Sequence, residues 1–482
     1  MLPISLLSLI TVILLAGFWL GPRVGKARPL FTCGNIVLLA FFANLLLATW
    51  LELTLGGGRL TYAQSLSNEA TILNALSVCF ASLCSFLLVY SLILESGRRP
   101  KSEHEARAPD PYVAEMQAPA VLLGTFIIAG LALKLYILST LGLGPELITR
   151  LSGTARRAAV LAGREDASLA NIASLSMAAD AALAYMTAFR LRRSLRAAAP
   201  HIAALVLVLL LSYVILAKRS HIVMIALAPI VAYSMLRRPL TLRAAPALLA
   251  LVLGGGMLTL FARIFLPAEA TGSHVEMRGG AAGGSAILFY FYSLEFAGFD
   301  MLVRCIHNRD AIGDSLGGHA RAFYVSTIEP FTYIIPRAIW PDKPSVYLDV
   351  SHALFADTFG GGVAPGTGLA ATAVGNSYVM GGLFGAILAM ACIGAVAALA
   401  DRTLHRAHTP SARLALLYTV AIVLTFQLFR QGSLGWTFLT FVQLMAVPTL
   451  TWILLTQGTL KRRIVSSRRH RLPIKRRGYG KR

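Results

Sequence analysis

The chain has 482 residues, of which 56% are hydrophobic and 14% charged, and its mean hydropathy is +0.67. This composition excludes an ordinary soluble globular protein and predicts a polytopic helical membrane protein. The net charge of +22 would favour nucleic-acid binding in a soluble chain. In a membrane protein, an excess of Lys and Arg marks cytoplasmic loops, so we exclude nucleic acid as a partner.

Apolar runs long enough to cross a bilayer recur along the chain and predict an all-α fold with about eleven transmembrane helices. The first run, Leu2 to Leu20, lacks a basic n-region and a clear cleavage site, so we expect a span rather than a removed signal peptide. The other spans are expected at about residues 30–50, 70–94, 118–143, 170–189, 201–216, 222–236, 247–266, 382–400, 412–429 and 437–455.

The orientation of these spans follows from the basic residues between them. Lys and Arg concentrate in alternate connections, and the tail Lys461–Arg482 alone carries eleven of them. The positive-inside rule makes that side cytoplasmic and the N-terminus external. The long segment from Pro267 to Gly381 is then periplasmic, and it holds ten acidic residues against six basic ones.

The predicted chain therefore has four regions. An N-terminal bundle of about eight spans covers 1–266, the periplasmic loop region covers 267–381, about three C-terminal spans cover 382–455, and the basic cytoplasmic tail covers 456–482. A structureless loop as long as 267–381 would be unusual, so we expect short helices there that cap the bundle. Within it, Ile287–Ile306 is expected to lie in the membrane interface or pack on the bundle rather than span.

Charge, aromatic rings and prolines crowd together in Phe331–Pro344, FTYIIPRAIWPDKP. Its three prolines fix φ and remove backbone donors, so no continuous helix is expected to run through it. Arg337 and Lys343 are then presented from a stiff, irregular backbone. The alternative is a proline-rich surface loop whose charges are solvated.

Further arginines are predicted on the external side, against the orientation rule. Arg219 lies in the short hairpin Lys218–His221, and Arg430 lies in the short turn before Gly435. Snorkelling to lipid phosphate is one interpretation. Binding of a phosphate or diphosphate carried on a lipid is the other, because guanidinium groups bind such oxygens in bidentate fashion.

Two charges are predicted inside the bundle, Lys134 and Asp180, at similar depths in neighbouring spans. Intramembrane charges usually pair or line a polar path, so we expect a structural ion pair in preference to a proton relay. The five cysteines give neither a disulfide framework nor metal-ligand spacing.

Four segments together resemble the oligosaccharide repeat-unit polymerases, the Wzy or O-antigen polymerase family. The resemblance covers about residues 210–455, and the first half of the chain shares with the family only its hydrophobic spans. Members commonly have Gly-Glu-Xaa-Tyr where this chain has Gly375-Asn376-Ser377-Tyr378, so a general-base role is not carried over to Asn376. The four segments are KRSHI (218–222), IPRAIWPDKP (335–344), TGLAATAVGNSYVMGGLFG (367–385) and LFRQGSLGW (428–436).

The resemblance implies an inner-membrane glycosyltransferase that polymerises undecaprenyl-diphosphate-linked repeat units at the periplasmic face, for O-antigen, capsule or exopolysaccharide. No metal or cofactor is expected, because guanidinium groups can stabilise the leaving group and the sequence has no Asp-x-Asp motif or His cluster. A flippase and a chain-length regulator are the expected partners beside the lipid substrate and the bilayer. The alternatives are an O-antigen ligase or other lipid-linked glycan polymerase, and, from a non-enzyme class, a lipid-linked oligosaccharide flippase.

Roles follow for particular residues under this resemblance. The leaving diphosphate needs fixed cations, and a base must activate the acceptor hydroxyl. Aromatic rings could stack on sugar faces, or could simply be packing or interfacial residues. The catalytic cations are expected to be Arg219, Arg337 and Arg430 with Lys343 nearby, the base candidates are His221, Glu295 and His352, and the stacking candidates are Trp340 and Tyr378.

Overall fold

The computed structural model describes residues 2–20, 31–47, 49–50, 69–96, 117–140, 176, 179–188, 190–191, 194–216, 219–236, 240, 298–335, 339–340, 349–359, 369–406 and 412–442. These residues contain helices and no strand, so the all-α expectation holds for this part of the chain. The predicted span at 247–266 and the tail lie outside it.

The described helices, numbered in chain order, are α1 (Leu2–Gly17), α2 (Cys33–Phe41), α3 (Glu69–Glu95), α4 (Gln117–Thr140), α5 (Leu195–Leu216), α6 (Arg219–Leu236), α7 (Gly298–His307), α8 (Arg309–Asp314), α9 (His319–Thr327), α10 (Val350–Phe359), α11 (Thr372–Arg406), α12 (Ala412–Gln431) and α13 (Leu434–Thr440). A π-helical turn, Phe42–Leu46, continues α2, and a 3-10 turn, Glu329–Ile334, follows α9.

Three helices in the described part of the chain are long and apolar enough to cross a membrane: Glu69–Glu95, Leu195–Ser212 and Thr372–Thr403. Shorter apolar helices, including Leu2–Gly17 and Cys33–Leu46, accompany them. The total of about eleven spans stays a prediction.

Large apolar side chains point away from the bundle as well as into it. Leu88 and Leu92 of α3 are 61% and 58% exposed, and Phe384 of α11 is 73% exposed. On the inner sides of the same helices, Phe86 and Met390 are fully buried. Helices that are apolar on both faces are stable in lipid rather than in water.

Helices α3 and α11 run in the same direction. Ser85 Oγ donates to the carbonyl oxygen of Ile387 (3.0 Å), and further along both helices Tyr90 Oη donates to Asp401 Oδ2 (2.6 Å). Their contacts therefore advance together along the two sequences. This agrees with the predicted alternation, which sends both segments across the membrane in one sense.

Helices α2 and α12 run in the opposite direction to this pair. At one end the Cys33 N–H lies 3.3 Å from Tyr418 Oη, and farther along the Phe41 and Phe429 rings are 5.9 Å apart. Since Cys33 also meets Asp401 near the end of α11, α2 begins where α11 ends.

A buried carboxylate fastens this end of the bundle. Asp401 Oδ1 accepts from the backbone N–H of Cys33 (2.8 Å) and from Tyr418 Oη, and its Oδ2 accepts from the N–H of Gly34 (3.0 Å) and from Tyr90 Oη. Cys33 and Gly34 open α2, so a negative charge faces the positive end of that helix dipole. We call these five residues the Asp401 cluster, and in it both carboxylate oxygens are fully bonded.

The predicted ion pair inside the bundle is confirmed. Lys134 Nζ lies 3.0 Å from Asp180 Oδ1, and both side chains are fully buried. Lys134 also donates to the carbonyl oxygen of Ser176 (2.6 Å), and Ser212 Oγ donates to Asp180 Oδ2 (2.5 Å). The ion pair and these two hydrogen bonds therefore join α4 and α5 to Ser176 and Asp180.

Helix α11 begins earlier than the predicted span at 382–400, because the residues from Thr372 are already helical. The helix breaks at Gly381 and Gly382, and Gly382 adopts φ 62° and ψ −152°, a conformation restricted to glycine. After the break the chain folds back, so that a Cβ on Gly385 would collide with the Ser377 carbonyl. The buried first part and the long second part are thus two helices joined by a sharp bend.

Short helices do occur in the segment predicted to cap the bundle, and we call residues 298–335 and 349–359 the cap. In α7, Phe299 and Leu302 join the main apolar core, so the described part of Ile287–Ile306 packs on the bundle. Arg304 and Asn308 both bond Asp357 of α10, at 3.1 and 2.9 Å, which ties the two ends of the cap together. Its assignment to the periplasm stays a prediction.

Candidate functional site

The candidate site forms where α12 ends. Arg430 lies in the last turn of this helix, where the helix dipole favours a cation. Gly432 then adopts φ 68°, and its N–H donates to the Leu428 carbonyl (2.9 Å), as in a left-handed helix stop. Only glycine takes this conformation without strain.

Gly432 packs against the first part of α11. A Cβ at this position would collide with the Thr372 carbonyl and lie 2.8 Å from Asn376 Cβ. Asn376 Nδ2 donates to the Gly432 carbonyl at 2.5 Å, which fixes the orientation of the amide. Asn376 Oδ1 is buried, and no described residue donates to it. We call this contact between Gly432 and α11, together with the last turns of α12 that lead into it, the Gly432 junction; the polar residues on its segments are Thr372, Asn376, Gln427 and Arg430.

Thr372 opens α11 in a strained conformation. Its φ is 59°, which for a β-branched residue is a true outlier and costs about 1–3 kcal/mol. Its side chain is fully buried, and Oγ1 has no partner among the described residues. Strain of this kind is retained where the surrounding structure imposes it, often at functional sites.

Gln427 supplies a third acceptor of the same kind. It is 2% exposed, its Oε1 has no partner in the described part of the chain, and it lies one helical turn before Arg430. Each buried acceptor left without a donor costs about 1–3 kcal/mol. Three at one junction indicate a place where hydroxyl or amide donors of a ligand, or ordered water, complete the bonding.

The cap holds an aspartate–histidine dyad. Asp349 precedes α10, and its Oδ1 lies 2.8 Å from His352 Nδ1 and accepts from the Ser351 N–H at 3.0 Å. The Asp349 N–H also lies 3.3 Å from His352 Nδ1, and a hydrogen bond between them would require Nδ1 to carry no proton. The shorter, charge-assisted contact prevails, so Nδ1 carries the proton and Nε2 is the nitrogen that can accept one.

This dyad is connected to the junction through one apolar cluster. Val350 and Leu354 of α10 share that cluster with Val379, which lies on the same short helix as Asn376. Burial among these side chains also raises the pKa of the neighbouring Cys305 thiol, and the Asp357 charge adds to this rise.

The structure places the predicted site residues unevenly. Arg430 lies in the last turn of α12, two residues before Gly432. Tyr378 lies two residues after Asn376, and its carbonyl accepts from Arg309 Nε (3.2 Å). The Asn376–Gly432 bond therefore brings the segments of Arg430 and Tyr378 together. Trp340 is a surface residue, 37% exposed, and His352 lies in the dyad.

Helix α6 begins at Arg219, and His221 lies in its first turn, so the predicted hairpin is even shorter than expected. The side chains of Arg219 and His221 lie outside the described part of the structure. Three other predicted site residues, Glu295, Arg337 and Lys343, lie outside the described residues.

Sequence reasoning missed Thr372, Gln427 and the role of Asp349. Nothing in the apolar run of α12 distinguishes Gln427 from a tolerated polar residue, and the strain at Thr372 arises from tertiary contacts. The proximity of Asp349 to His352 could have been found, because an aspartate three residues before a histidine at a helix start is an N-capping pattern.

No group of three or more His, Cys, Asp or Glu residues that could hold a metal ion occurs within the described ranges. The expectation of metal-independent chemistry stays a prediction.

Comparison of the chain with protein-family models, with curated proteins and with solved structures gives no match.

Proposed function

We propose that this protein is a membrane glycosyltransferase that joins oligosaccharide repeat units carried on a polyprenyl diphosphate, at the cap end of the bundle. The observation that carries the proposal is the Gly432 junction. Its segments carry a cation, Arg430, in the last turn of α12 and three buried neutral acceptors, and the two sets match the two parts of such a substrate.

The diphosphate part requires cations in a setting of low dielectric. When the glycosidic C1–O bond to the diphosphate breaks, the electron pair leaves with the diphosphate oxygen, and its charge must be stabilised. Arg430 stands at the end of α12, and Arg219 begins α6. Together with Arg337 and Lys343 in the sequence between Ile335 and Pro344, these are the cations proposed for this role.

The sugar part is rich in hydroxyl groups, which donate to neutral acceptors. Asn376 Oδ1, Gln427 Oε1 and Thr372 Oγ1 are such acceptors. An aspartate at position 376 would place a carboxylate oxygen against the Gly432 carbonyl, where the amide Nδ2 donates. An amide is therefore the side chain that both bonds Gly432 and accepts from a ligand. Its role is to bind and orient, not to take a proton.

Acceptor activation requires a base. The hydroxyl oxygen of the acceptor sugar attacks C1 of the donor sugar, and its proton passes to the base while the polyprenyl diphosphate leaves. Among the three candidates, His352 is favoured because Asp349 holds its Nδ1 proton and directs Nε2 as acceptor, the arrangement that orients a general base. His221 and Glu295 stay as alternatives.

The proposal is tested with purified full-length protein in lipid nanodiscs, incubated with a defined polyprenyl-diphosphate-linked repeat unit. A ladder of products differing by one repeat is expected, and it should persist in excess chelator because guanidinium groups stay charged without a bound ion. Transfer of a single glycan to a different lipid acceptor without a ladder would identify a ligase. Movement of the substrate between leaflets with no new glycosidic bond would identify a flippase.

A further inference from the structure

One stretch of the cap has its polarity reversed. Among the described residues from α9 to Trp340, which lies just beyond the cap, six large apolar side chains are exposed while Ser326 and Glu329 are buried. We call the outward set the apolar face: Phe323, Ile328, Phe331, Ile335, Ile339 and Trp340, which are 50%, 48%, 40%, 36%, 75% and 37% exposed.

The inward side of the same stretch contains a serine and an acid. Ser326 is fully buried, and its carbonyl accepts from Ser433 Oγ (2.9 Å). Glu329 is 6% exposed, and Arg321 Nη2 lies 3.2 Å from its Oε2. That oxygen is not aligned for a hydrogen bond, so the attraction between the two groups is mainly coulombic.

A cap bathed in water would have the opposite arrangement. Six large apolar side chains in one stretch would be turned inwards, and Glu329 would face solvent, because burial of each large apolar side chain stabilises by about 1.5–3 kcal/mol. Large apolar side chains exposed together in one stretch mark an interaction site.

The position of the stretch identifies what covers it. The Phe331 ring lies 4.5 Å from the ring of Phe438, and Pro330 packs against Gly435. Both partners belong to α13, the start of the last predicted span. The apolar face therefore lies at the level where α13 enters the predicted lipid region.

We propose that the apolar face is embedded in the membrane interface and contacts lipid acyl chains, so that this part of the cap rests in the bilayer surface instead of standing clear in water. Its charged neighbour fits this environment: Arg321 is 51% exposed and stacks over the Tyr324 ring at 5.1 Å, where it can meet lipid phosphate. Trp340 is then an interfacial aromatic residue rather than a sugar platform.

This proposal does not rest on the proposed function, and its test uses no substrate. Full-length protein is reconstituted into nanodiscs of phosphatidylethanolamine and phosphatidylglycerol, with single spin labels on Phe323→Cys or Ile339→Cys. The background carries Cys84→Ser and Cys392→Ser, since these two thiols are at least partly accessible. Cys305 is buried and its raised pKa disfavours the reactive thiolate, so it is left in place.

The matched control is a label on Asp310→Cys, a position in the same cap whose side chain is 81% exposed. Labels at 323 and 339 should collide with oxygen more often than with a water-soluble nickel chelate, whereas the label at 310 should show the reverse. Nickel access at 323 and 339 equal to that at 310 would overturn the proposal. Exclusion of both reagents together with spin–spin broadening would also overturn it, because a second copy would then cover the face.

A second measurement needs no cysteine. A benzoylphenylalanine in place of Phe323 should photo-crosslink phospholipid, detected as a mass increase, while the same group in place of Asp310 should not. Equal lipid adducts at both positions, or none at Phe323, would contradict the proposal even if a labelled cysteine variant failed to fold.

Discussion

The Asp401 cluster and the Gly432 junction, at opposite ends of the helical bundle, treat buried polar groups in opposite ways. In the Asp401 cluster, one carboxylate accepts from two backbone N–H groups and two tyrosine hydroxyls, and neither carboxylate oxygen lacks a donor. In the Gly432 junction, Thr372 Oγ1, Asn376 Oδ1 and Gln427 Oε1 are buried and have no partner among the described residues.

The same energetic rule applies at both ends, so the difference carries information. A bonded buried carboxylate fastens helices together, and its cost of desolvation is offset by its donors. Unpaired acceptors stabilise nothing, and they persist where a ligand or ordered water supplies the donors. The Asp401 end is therefore structural, and the Gly432 end is where function is to be sought.

The largest effect is expected at the structural end. Asp401→Ala should lower the free energy of unfolding by about 3 kcal/mol or more, because two N–H groups and two hydroxyls lose their acceptor inside the bundle. Membrane abundance and thermal unfolding in detergent measure this loss. Asp401→Asn keeps one carbonyl acceptor and should lose less. A normally folded Asp401→Ala protein with no polymer would reverse the assignment of the two ends.

Arg430→Lys should fold normally and reduce polymer output about 100-fold, because a single point charge cannot reproduce a bidentate guanidinium on a diphosphate. Arg219→Lys and Arg337→Lys are expected to behave in the same way. Polymer is measured at equal membrane abundance.

The control for these variants lies at the other end of the bundle. Arg402 follows Asp401 near the end of α11, and its Nη1 lies 3.5 Å from Ser96 Oγ. Arg402→Lys should therefore leave polymer unchanged. Near-normal output from Arg430→Lys would mean that Arg430 is a helix-end or interfacial anchor.

Asn376→Leu should reduce polymer about tenfold, because the amide that accepts from a sugar hydroxyl is lost while the volume is kept. The variant also loses the bond to the Gly432 carbonyl, so abundance must be measured beside activity. Asn35→Leu is the matched control, since Asn35 is a buried asparagine in the first turn of α2, at the Asp401 end of the bundle. Equal polymer from both variants would remove Asn376 from the site.

The sequence predicted the parts of the fold that depend on composition and spacing. The bounds of α3, α4 and α12 agree with the predicted spans to within a few residues. The Lys134–Asp180 pair followed from depth alone, because two lone charges in neighbouring apolar helices have few other partners.

The missing parts depend on contacts between distant residues. Asp401 lies 311 positions from Tyr90 and 368 from Cys33, so its donors cannot be found by spacing. The sequence predicts a loop for the first turns of α11, because Thr372–Met380 is short and contains polar residues. In the folded chain, packing against neighbouring helices makes this segment helical and buried. For the same reason, which side of residues 319–335 faces the bundle is a tertiary property.

The smallest effect is expected at Thr372, and it has an unusual sign. Thr372→Val keeps the shape and the strained φ but removes a fully buried hydroxyl without a partner among the described residues. Because that hydroxyl bears an uncompensated desolvation cost, the variant should be as stable as the parent or more stable by about 1 kcal/mol. Polymer output should nevertheless fall, since the hydroxyl is proposed to bond the substrate.

Thermal unfolding and polymer yield, measured together, separate this from a structural role. The matched control is Thr425→Val on α12. Thr425 is 3% exposed, and its hydroxyl donates to the Ala421 carbonyl at 2.6 Å. That control should lose stability slightly and keep its polymer, the opposite of Thr372→Val. If Thr372→Val instead unfolded at a lower temperature than the parent, its hydroxyl would have a partner within the protein. The Gly432 junction would then resemble the Asp401 cluster, and the contrast between the two ends would fail at this residue.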